Sequence, residues 1–393
     1  MKRIISFLFF LSLLLTACST ASITEPSSSG TQPVEETPTP APYPDTPSPP
    51  RLDLPVVESP ALISVYFLNS LDGWGVTETQ IVRTNDGGFT WYNVTPQGVT
   101  ETGYNIDNFV LDNDHAWVNL PDFANYPNSG ILHRTSDGGM TWTSSSAPFS
   151  RGRVQFLDAM NGWALADLGV GAGSNAVAVH QTTDGGVEWD QTFINDPNNV
   201  NAGDSLPLGG LKFGIEPLNM VSAWVYGIVY APGAVYLYRT ENAGHLWEPV
   251  SIPLPQGAED AELTIEQVEF VTPNEAFLIM RMTSDSINNA VYTSNDSGNT
   301  WMLTPTLIPE AGYADFISAE EAVIYNGNQF YVTRDAARTW SIIPPDVDFE
   351  DMFGMMDFVS PSTGWVITID PTTNHRSLYR TGDGGATWFP IVP

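Results

Sequence analysis

Three arginines carry the most specific chemistry that the sequence offers. We expect Arg153, Arg281 and Arg376 to point from different repeats into one loop-bearing face of the fold. A guanidinium group presents paired N–H donors that match a carboxylate, so such a group of arginines would hold an acidic ligand. Two loop tyrosines, Tyr104 and Tyr126, would add aromatic contact area. These five residues are the predicted ligand-binding set, and no catalytic residue is assigned.

Other kinds of active site find little support in the residue pattern. His115, His245 and His375 have neither an HExxH pattern nor paired spacing, so no metal site is predicted. His133 and His180 stand two residues before a recurring threonine, which is a packing position. Glycine-rich motifs for phosphates or dinucleotides are absent, so no cofactor is predicted. Acidic loops always offer carboxylate pairs of the kind a glycosidase uses, so their presence decides nothing.

The charge balance restricts the kind of partner. Asp and Glu number 45 against 14 Lys and Arg in 393 residues, which gives a net charge of -31. Because no basic stripe is left to grip phosphates, nucleic acid is not expected as a partner. Cys18 is the one cysteine, so no disulfide can form within the chain. The fold must therefore be stabilised by packing.

The N-terminus has the pattern of an exported lipoprotein. Lys2 and Arg3 precede an apolar run of twelve residues, from Ile4 to Leu15, which is too short to span a bilayer as a permanent helix. Leu15-Thr16-Ala17-Cys18 then matches a bacterial lipobox. Residues 1–17 are thus predicted to be a lipoprotein signal peptide, with Cys18 lipidated and holding the mature chain at a membrane. An ordinary secretory signal or a transmembrane anchor is the alternative.

The segment from Cys18 to Pro60 is predicted to be a tether. Pro, Ser and Thr dominate it, with seven prolines packed between Pro38 and Pro50. A segment of this composition cannot bury a core and stays extended, partly as polyproline II. It would lift the folded domain off the membrane. A proline-rich recognition motif is the less favoured alternative.

From residue 61 to residue 393 the chain repeats one eight-residue element seven times. The first copy runs from Thr84 to Trp91, and each copy places an acidic or amide residue five positions before a tryptophan. The seven pairs are Asp86 and Trp91, Asp137 and Trp142, Asp184 and Trp189, Asn242 and Trp247, Asp296 and Trp301, Asp335 and Trp340, and Asp383 and Trp388. We expect each copy to be a hairpin turn in which the carboxylate accepts backbone N–H bonds. Copies with Asn242 or Ala337 should be the weaker turns.

Two further landmarks precede each turn. One is an aromatic residue followed by an aliphatic residue, as in Phe67-Leu68 and Phe109-Val110, and the other is a small residue followed by an aromatic one, as in Gly73-Trp74. Each unit therefore reads as four short strands, which is typical of a propeller blade. The predicted fold is all-β, a seven-bladed β-propeller of four-stranded blades over residues 61–393. Leu52 to Val57 could add an edge strand, or the ring could close without one.

The S/T-x-D-x-G-x-T/S-W pattern resembles the Asp-box, or bacterial neuraminidase repeat, of sialidases, xyloglucanases and sortilin-type receptors. It is most similar to the photosystem II assembly and stability factor family, which also combines this turn with a preceding Gly-Trp strand such as Gly162-Trp163. That resemblance implies a protein-binding propeller that acts as an assembly factor or scaffold without catalysis. The family carries an arginine-rich client-binding patch, whereas this chain has 39 acidic and 11 basic residues from Ala61 onward. A different client is expected.

The sequence thus supports two classes of function. The first is a cell-surface lipoprotein whose propeller binds an envelope or extracellular protein or a glycan. The second is a glycan-cleaving enzyme, either a sialidase or a xyloglucanase-like hydrolase. A sialidase needs three arginines beside a Tyr-Glu pair, but Arg83, Arg134, Arg239 and Arg380 stand just before the repeated turns and are interpreted as structural. Convergence of Arg153, Arg281 and Arg376 beside a tyrosine and a glutamate would favour the enzyme.

Overall fold

The repeated strand and turn units fold as an all-β propeller. The computed structural model describes residues 52–103, 106–310 and 312–391. Within these ranges the chain forms 29 strands, β1 to β29, and a short 3-10 helix, Ala258–Asp260. In β10, Val154 and Phe156 are buried and Gln155 between them is only partly buried. Burial thus alternates along the strand, because successive side chains point to opposite faces of the sheet. The predicted signal peptide, Cys18 and most of the tether lie outside the described residues.

The strand bounds follow the predicted repeats. The first three sheets are formed by β1 Val56–Val57, β2 Ser64–Phe67, β3 Gly73–Val76, β4 Ile81–Thr84 and β5 Trp91–Asn93; by β6 Asp107–Val110, β7 His115–Pro121, β8 Gly130–Ser136 and β9 Thr143–Ala147; and by β10 Gly152–Phe156, β11 Gly162–Gly171, β12 Ser174–Thr182 and β13 Asp190–Ile194.

The remaining strands form three more sheets among the described residues. The fourth sheet contains β14 Leu211–Pro217, β15 Ala223–Ile228, β16 Tyr236–Thr240, β17 Glu248–Pro249, β18 Glu262–Phe270, β19 Ala276–Thr283, β20 Ile287–Ser294 and β21 Met302–Pro309. The fifth contains β22 Tyr313–Phe316, β23 Ala322–Tyr325, β24 Phe330–Thr333 and β25 Ser341–Ile343, and the sixth contains β26 Phe353–Phe358, β27 Gly364–Ile369, β28 Arg376–Thr381 and β29 Phe389–Ile391.

The predicted number of blades is wrong. The described residues form five separate sheets of four or five strands, each the size of one blade, and one sheet of eight strands, rather than seven separate blades. The eight-stranded sheet arises because β15 and β18 pair with each other at Ile228 and Thr264. That bridge lies at the loop end of both strands, where a repeat pattern carries no information about pairing.

The first sheet closes against the sixth. Val56 and Val57 pair with Tyr92 and Trp91, so this segment forms an edge strand, one of the two alternatives that the sequence left open. On the inner side, the Asp357 carboxylate accepts a hydrogen bond from the Phe67 backbone N–H. The Phe67 ring also stacks on Trp365, with ring centroids 3.6 Å apart. Side chains of the first and last sheets therefore join the ring.

All seven repeated turns lie between the third and fourth strands of their units, as predicted. In the second sheet the Thr135 hydroxyl donates to Asp137 Oδ1, the same oxygen accepts from the Thr141 N–H, and Asp137 Oδ2 accepts from the Thr141 hydroxyl. In the fourth sheet Asn242 Oδ1 accepts from the Thr240 hydroxyl and from the Leu246 N–H. The Asn242 turn lacks the hydroxyl contact because leucine stands where Thr141 stands.

The arginines before the turns join neighbouring sheets. Arg83 donates to the Gly138 carbonyl at 3.2 Å, and Arg134 donates to the Asp184 carbonyl at 2.6 Å. Arg380 donates to the Ser70 carbonyl at 3.2 Å, across the closure. Each of these carbonyls lies at the turn end of the next sheet. The geometry agrees with the structural interpretation of these arginines.

The strand pairing defines two rows of residues on the seven inner strands β2, β6, β10, β14, β18, β22 and β26. We call the first the channel row, whose members lie opposite the landmark aromatic position of the second strand: Tyr66, Phe109, Gln155, Glu216, Glu269, Asp315 and Asp357. The next residue of each strand forms the wedge row: Phe67, Val110, Phe156, Pro217, Phe270, Phe316 and Phe358. Members of the two rows point to opposite faces of their sheets.

Strand β6 departs from the predicted alignment. The sequence aligns Phe109 with Phe67, but Phe109 pairs with Trp117 and Val110 pairs with Ala116. Phe109 therefore belongs to the channel row, and Val110 takes the wedge position. Both residues are apolar, so their types alone do not show which of them takes the wedge position. The spacing does show it, because Val110 lies six positions before Ala116, as Phe67 lies six positions before Gly73.

Candidate functional site

A polar cavity of about 820 Å³ lies at the loop ends of the inner strands. We call it the arginine pocket. It is bounded by the starts of β6, β10 and β14, with β15 and β18 behind them, and its charged lining residues are Asp107, Arg151, Arg153, Asp167, Lys212 and Glu266. This is the face that carries the connections between repeats, opposite the repeated turns. The face that is predicted to bind a ligand thus holds a polar cavity.

Arg151 and Arg153 are the free cations of the pocket. Both side chains are exposed, and neither makes a hydrogen bond or an ion pair with any described residue. Residues two apart in an extended segment project to the same side, so the two guanidinium groups can serve one ligand. Each guanidinium group has five N–H donors, and two of them can bind the two oxygens of one carboxylate side by side. The pocket thus offers two unsatisfied cations in a strongly acidic protein.

Asp107 lies behind these arginines. Its Oδ2 accepts a hydrogen bond of 2.9 Å from the Gly152 N–H, which fixes the carboxyl against the start of β10. Burial raises the pKa of Asp107, although this N–H and the charges of Arg153 and Arg151 oppose the rise. A raised pKa favours the protonated, neutral form of Asp107, which neutralises the two guanidinium groups less than a carboxylate would.

Lys212, which lines the arginine pocket, stabilises the chain around it. Its Nζ donates to the carbonyls of Asn175, Leu208 and Gly210, at 2.9, 2.6 and 3.2 Å. Burial lowers the pKa of Lys212 to about 8. Because three carbonyls already use the three donors of the ammonium group, Lys212 holds the chain before β14 in place and has no donor left for a ligand.

Tyr226 connects the arginine pocket with the channel. Its hydroxyl lies so close to Gly214 that a Cβ on this glycine would meet it at 2.3 Å. Burial raises the pKa of Tyr226, the charge of Glu216 adds to this, and Arg153 opposes it. Glu266, on the same wall, forms an ion pair of 2.8 Å with Arg281. Tyrosine, carboxyl and arginine groups are thus neighbours at this point.

Four consecutive members of the channel row are acids. Glu216 accepts from the Phe270 N–H at 3.3 Å, and Asp315 accepts from the Phe358 N–H at 2.9 Å, as Asp357 does from Phe67. Burial raises the pKa of Glu216 to about 8, with the charge of Glu269 adding to it. Burial likewise raises the pKa of Glu269 and of Asp357 to about 7. Glu216, Asp315 and Asp357 thus join neighbouring inner strands, and burial favours the protonated form of all four carboxyls.

The structure brings together some of the predicted ligand residues. Arg153 lines the arginine pocket, and Arg281 reaches its wall through Glu266. Tyr126 lies at the rim, where Asp167 and Arg151 influence its pKa, which burial raises. Arg376 lines a different cavity, of about 610 Å³, beside β1 and β5. Tyr104 lies outside the described residues.

The three predicted arginines therefore do not converge. Arg153 and Arg281 lie near one tyrosine and two glutamates, but Arg376 lies between the first and sixth sheets. Sequence reasoning missed Arg151, Tyr226 and the acidic channel row. The acids had a detectable signal, because each interrupts an apolar inner strand just before its landmark residue. Arg151 had none, since it lies in the loop before β10.

Two further searches gave negative results. No group of three or more His, Cys, Asp or Glu side chains within residues 52–103, 106–310 and 312–391 is arranged to hold a metal ion. In the same ranges, no helix has the length and apolar character needed to cross a bilayer.

Known proteins similar to this chain include both expected classes. It is 24% identical over 368 residues to a xyloglucanase of Hypocrea jecorina, and this match covers 83% of the chain and 36% of the enzyme. It is 22% identical over 277 residues to the photosystem II assembly lipoprotein Ycf48 of Synechococcus, covering 65% of the chain and 78% of that protein. The chain thus spans about a third of the xyloglucanase. No family model matches it.

Solved structures show the same fold. A structure of YCF48 bound to D1 peptide superposes with a TM-score of 0.51 at 17% identity, covering 84% of this chain and 95% of that one. The chain thus has the fold of a β-propeller similar to that of YCF48. A polysaccharide lyase that acts on ulvan also superposes with a TM-score of 0.51, at 11% identity, covering 86% of this chain and 96% of the lyase. The fold is shared by binding proteins and enzymes, so function has to be argued from the site.

Proposed function

We propose that this protein is a lipid-anchored binding propeller that holds an acidic segment of an envelope or extracellular protein in the arginine pocket. The observation that supports this most is the pair of free guanidinium groups, Arg151 and Arg153, in a chain of net charge -31. In an acidic protein, two exposed arginines that form no ion pair with a described carboxylate have donors to offer a ligand. The similar protein YCF48 has been solved with a peptide bound.

The anchor is part of the same proposal. Acyl chains on Cys18 would hold the propeller on the outer side of the cytoplasmic membrane, or at the outer membrane where the host has one. The seven repeated turns would be Asp-box repeats, as their hydrogen bonds suggest. Cys18→Ala is expected to abolish lipid labelling and to release the protein to the soluble fraction. Unchanged retention in the membrane fraction would contradict the anchor.

Defined peptides can test the arginine pocket. A panel of ten-residue peptides containing aspartate or glutamate, with matched asparagine or glutamine versions, would be measured by fluorescence anisotropy against the purified propeller. Arg151→Ala and Arg153→Ala should each weaken binding of the acidic peptides by about tenfold, as loss of a charge-assisted pair does. Arg338→Ala removes an exposed arginine from a repeated turn and is the matched control. Equal affinity for acidic and neutral peptides would refute the proposal.

A second candidate function is cleavage of a glycan. It is favoured by the neighbouring groups of Tyr226, Glu266 and Arg153, and by Asp107 and Glu266, two carboxyls with raised pKa on one cavity. A general acid in a glycosidase needs such a raised pKa. Purified protein would be incubated with xyloglucan, sialosides and ulvan. Turnover that disappears in Asp107→Asn or Glu266→Gln would establish this function in place of binding alone.

A further inference from the structure

The interface between the first and second sheets lacks the stacked ring that several other interfaces between neighbouring sheets contain. Phe67 stacks on Trp365 at 3.6 Å and 5°, Phe156 stacks on Trp117 at 3.8 Å and 8°, and Phe316 stacks on Phe277 at 4.6 Å and 5°. In each pair a wedge residue of one sheet covers an aromatic residue of the sheet before it. Stacking of this kind is the regular way in which these inner strands pack.

Two interfaces lack such a ring, because Pro217 takes the wedge position in the fourth sheet and Val110 takes it between the first and second sheets. Phe109, the residue before Val110, faces the third sheet together with Trp117 of its own sheet, and its ring centroid lies 6.1 Å from that of Phe156. No aromatic ring of the described residues stacks on Trp74, which is buried with Val110 in one small apolar cluster. A valine thus stands where Phe67, Phe156 and Phe316 each provide a stacking ring.

The missing volume is present as a cavity, which we call the Trp74 cleft. It measures about 180 Å³, and Val65, Trp74, Val110, Trp117 and Trp142 are among its walls. An apolar cavity of about 150 Å³ is large enough to bind benzene and stays dry when empty. The Trp74 cleft therefore has room for one aromatic ring, stacked on Trp74 as Phe67 is on Trp365.

The cleft opens toward the channel, next to the arginine pocket. Tyr66 and Asn108 lie at its mouth on β2 and β6, and the Tyr66 side chain is 46% exposed. Asn108 follows Asp107, which lines the arginine pocket. Because successive residues of a strand point to opposite faces, β6 separates the two cavities by the thickness of one sheet.

We infer that the Trp74 cleft binds an aromatic side chain of a bound polypeptide, next to the acidic group held by Arg151 and Arg153. This inference rests on the proposed function for the acidic group, but the cleft itself does not. Packed sheets lie about 10 Å apart and an extended chain advances about 3.3 Å per residue, so the aromatic and acidic residues would be about three positions apart.

The chemistry of the walls favours a side chain over a sugar. Polar side chains stand at the mouth, whereas the interior is built from tryptophan, valine and isoleucine. A sugar ring would bury several hydroxyl groups, and Trp74 Nε1, a buried donor without a partner, could satisfy only one of them, whereas a phenyl ring needs no partner. A glycan in this cleft is therefore an outcome that would contradict the inference.

The first test uses benzene as the probe of the cleft. Thermal unfolding of the purified full propeller would be followed with and without saturating benzene, which should raise the melting temperature of the wild type. Val110→Phe places a ring in the cleft and should abolish this benzene effect. Val110→Leu, a smaller change, should reduce it if the phenylalanine variant does not fold. A benzene effect that is absent, or unchanged in the folded Val110 variants, would overturn the inference.

The second test uses an eight-residue peptide with glutamate and phenylalanine three positions apart. Replacing its phenylalanine with alanine should weaken binding to the wild type by about tenfold, because a buried ring is lost. The same replacement should not change the affinity of the peptide for the Val110→Phe variant. Arg151→Ala should weaken binding of the peptide but leave binding of benzene unchanged. Benzene binding without any peptide binding would defeat the proposed function and leave the cleft as an aromatic site. Peptide binding that ignores the phenylalanine would defeat the inference alone.

Discussion

Glu216 in the channel row allows a sharp test of the electrostatics. Its carboxyl accepts a hydrogen bond from the Phe270 N–H, and burial raises its pKa from 4.5 to about 8. A raised pKa in the folded state means that folding takes up a proton between these two values. The stabilising contribution of the neutral carboxyl is then complete below the unfolded pKa and is lost as pH rises through the folded pKa.

Glu216→Gln keeps the acceptor oxygen and removes the titration. Above pH 4.5 the free energy of unfolding of the wild type falls by about 1.4 kcal/mol per pH unit. At pH 7 it is therefore lower than at pH 4 by up to about 3 kcal/mol, and water in the channel reduces this difference. The glutamine variant should therefore be more stable than the wild type at pH 7, by roughly 5 °C in melting temperature. At pH 4 the two should melt together.

Thermal unfolding of both proteins at pH 4, 5.5, 7 and 8.5, in buffers of matched ionic strength, would measure the effect. Glu320→Gln, at an exposed turn position, is the control and should leave the pH profile unchanged. The four acids of the channel row influence one another, so the slope of stability against pH reflects all four carboxyls. The sign of that slope is the one expected for Glu216. A variant that is less stable at every pH, or stabilised equally at all pH values, would refute the reasoning.

Three further predictions concern the repeated turns. Ala337 has φ of 60°, a left-handed conformation that costs an L-residue about 1 kcal/mol or more, so Ala337→Gly should raise the melting temperature slightly. Arg134→Ala should lower the free energy of unfolding by about 1 to 3 kcal/mol in urea titrations, because the Asp184 carbonyl loses its donor. Backbone and hydroxyl donors of Thr300 lower the pKa of Asp296, so its contribution is lost as pH falls through the folded pKa, and Asp296→Asn should flatten the acid limb of the stability profile.

The repeated turns and the start of the second strands could be predicted from sequence because their chemistry is local. Thr84, Asp86 and Gly88 lie within five residues, and their hydrogen bonds need no distant partner. Likewise, Gly73 must be small because a Cβ there would meet the Phe67 ring at 2.6 Å. Local requirements of this kind leave a readable pattern at each repeat.

The sheet count and half of the ligand set could not be predicted in this way. The eight-stranded sheet depends on a bridge between Ile228 and Thr264, which are 36 residues apart and belong to no motif. Arg153 was predicted to point into the loop-bearing face, and it lines the arginine pocket. Arg376 starts β28, on the outer part of its sheet, and the sequence does not show how far from the channel a strand lies.

The residue types along β6 link the two cavities. Phe109 faces the third sheet, and Asp107 faces the same way, since residues two apart share a face. Asp107 thereby meets Gly152 and stands beside the arginines. Val110, the residue after Phe109, faces Trp74 instead and leaves the cleft unfilled. A change that moved β6 by one residue relative to β7 would therefore turn Phe109 toward the cleft and withdraw Asp107 from the arginine pocket together.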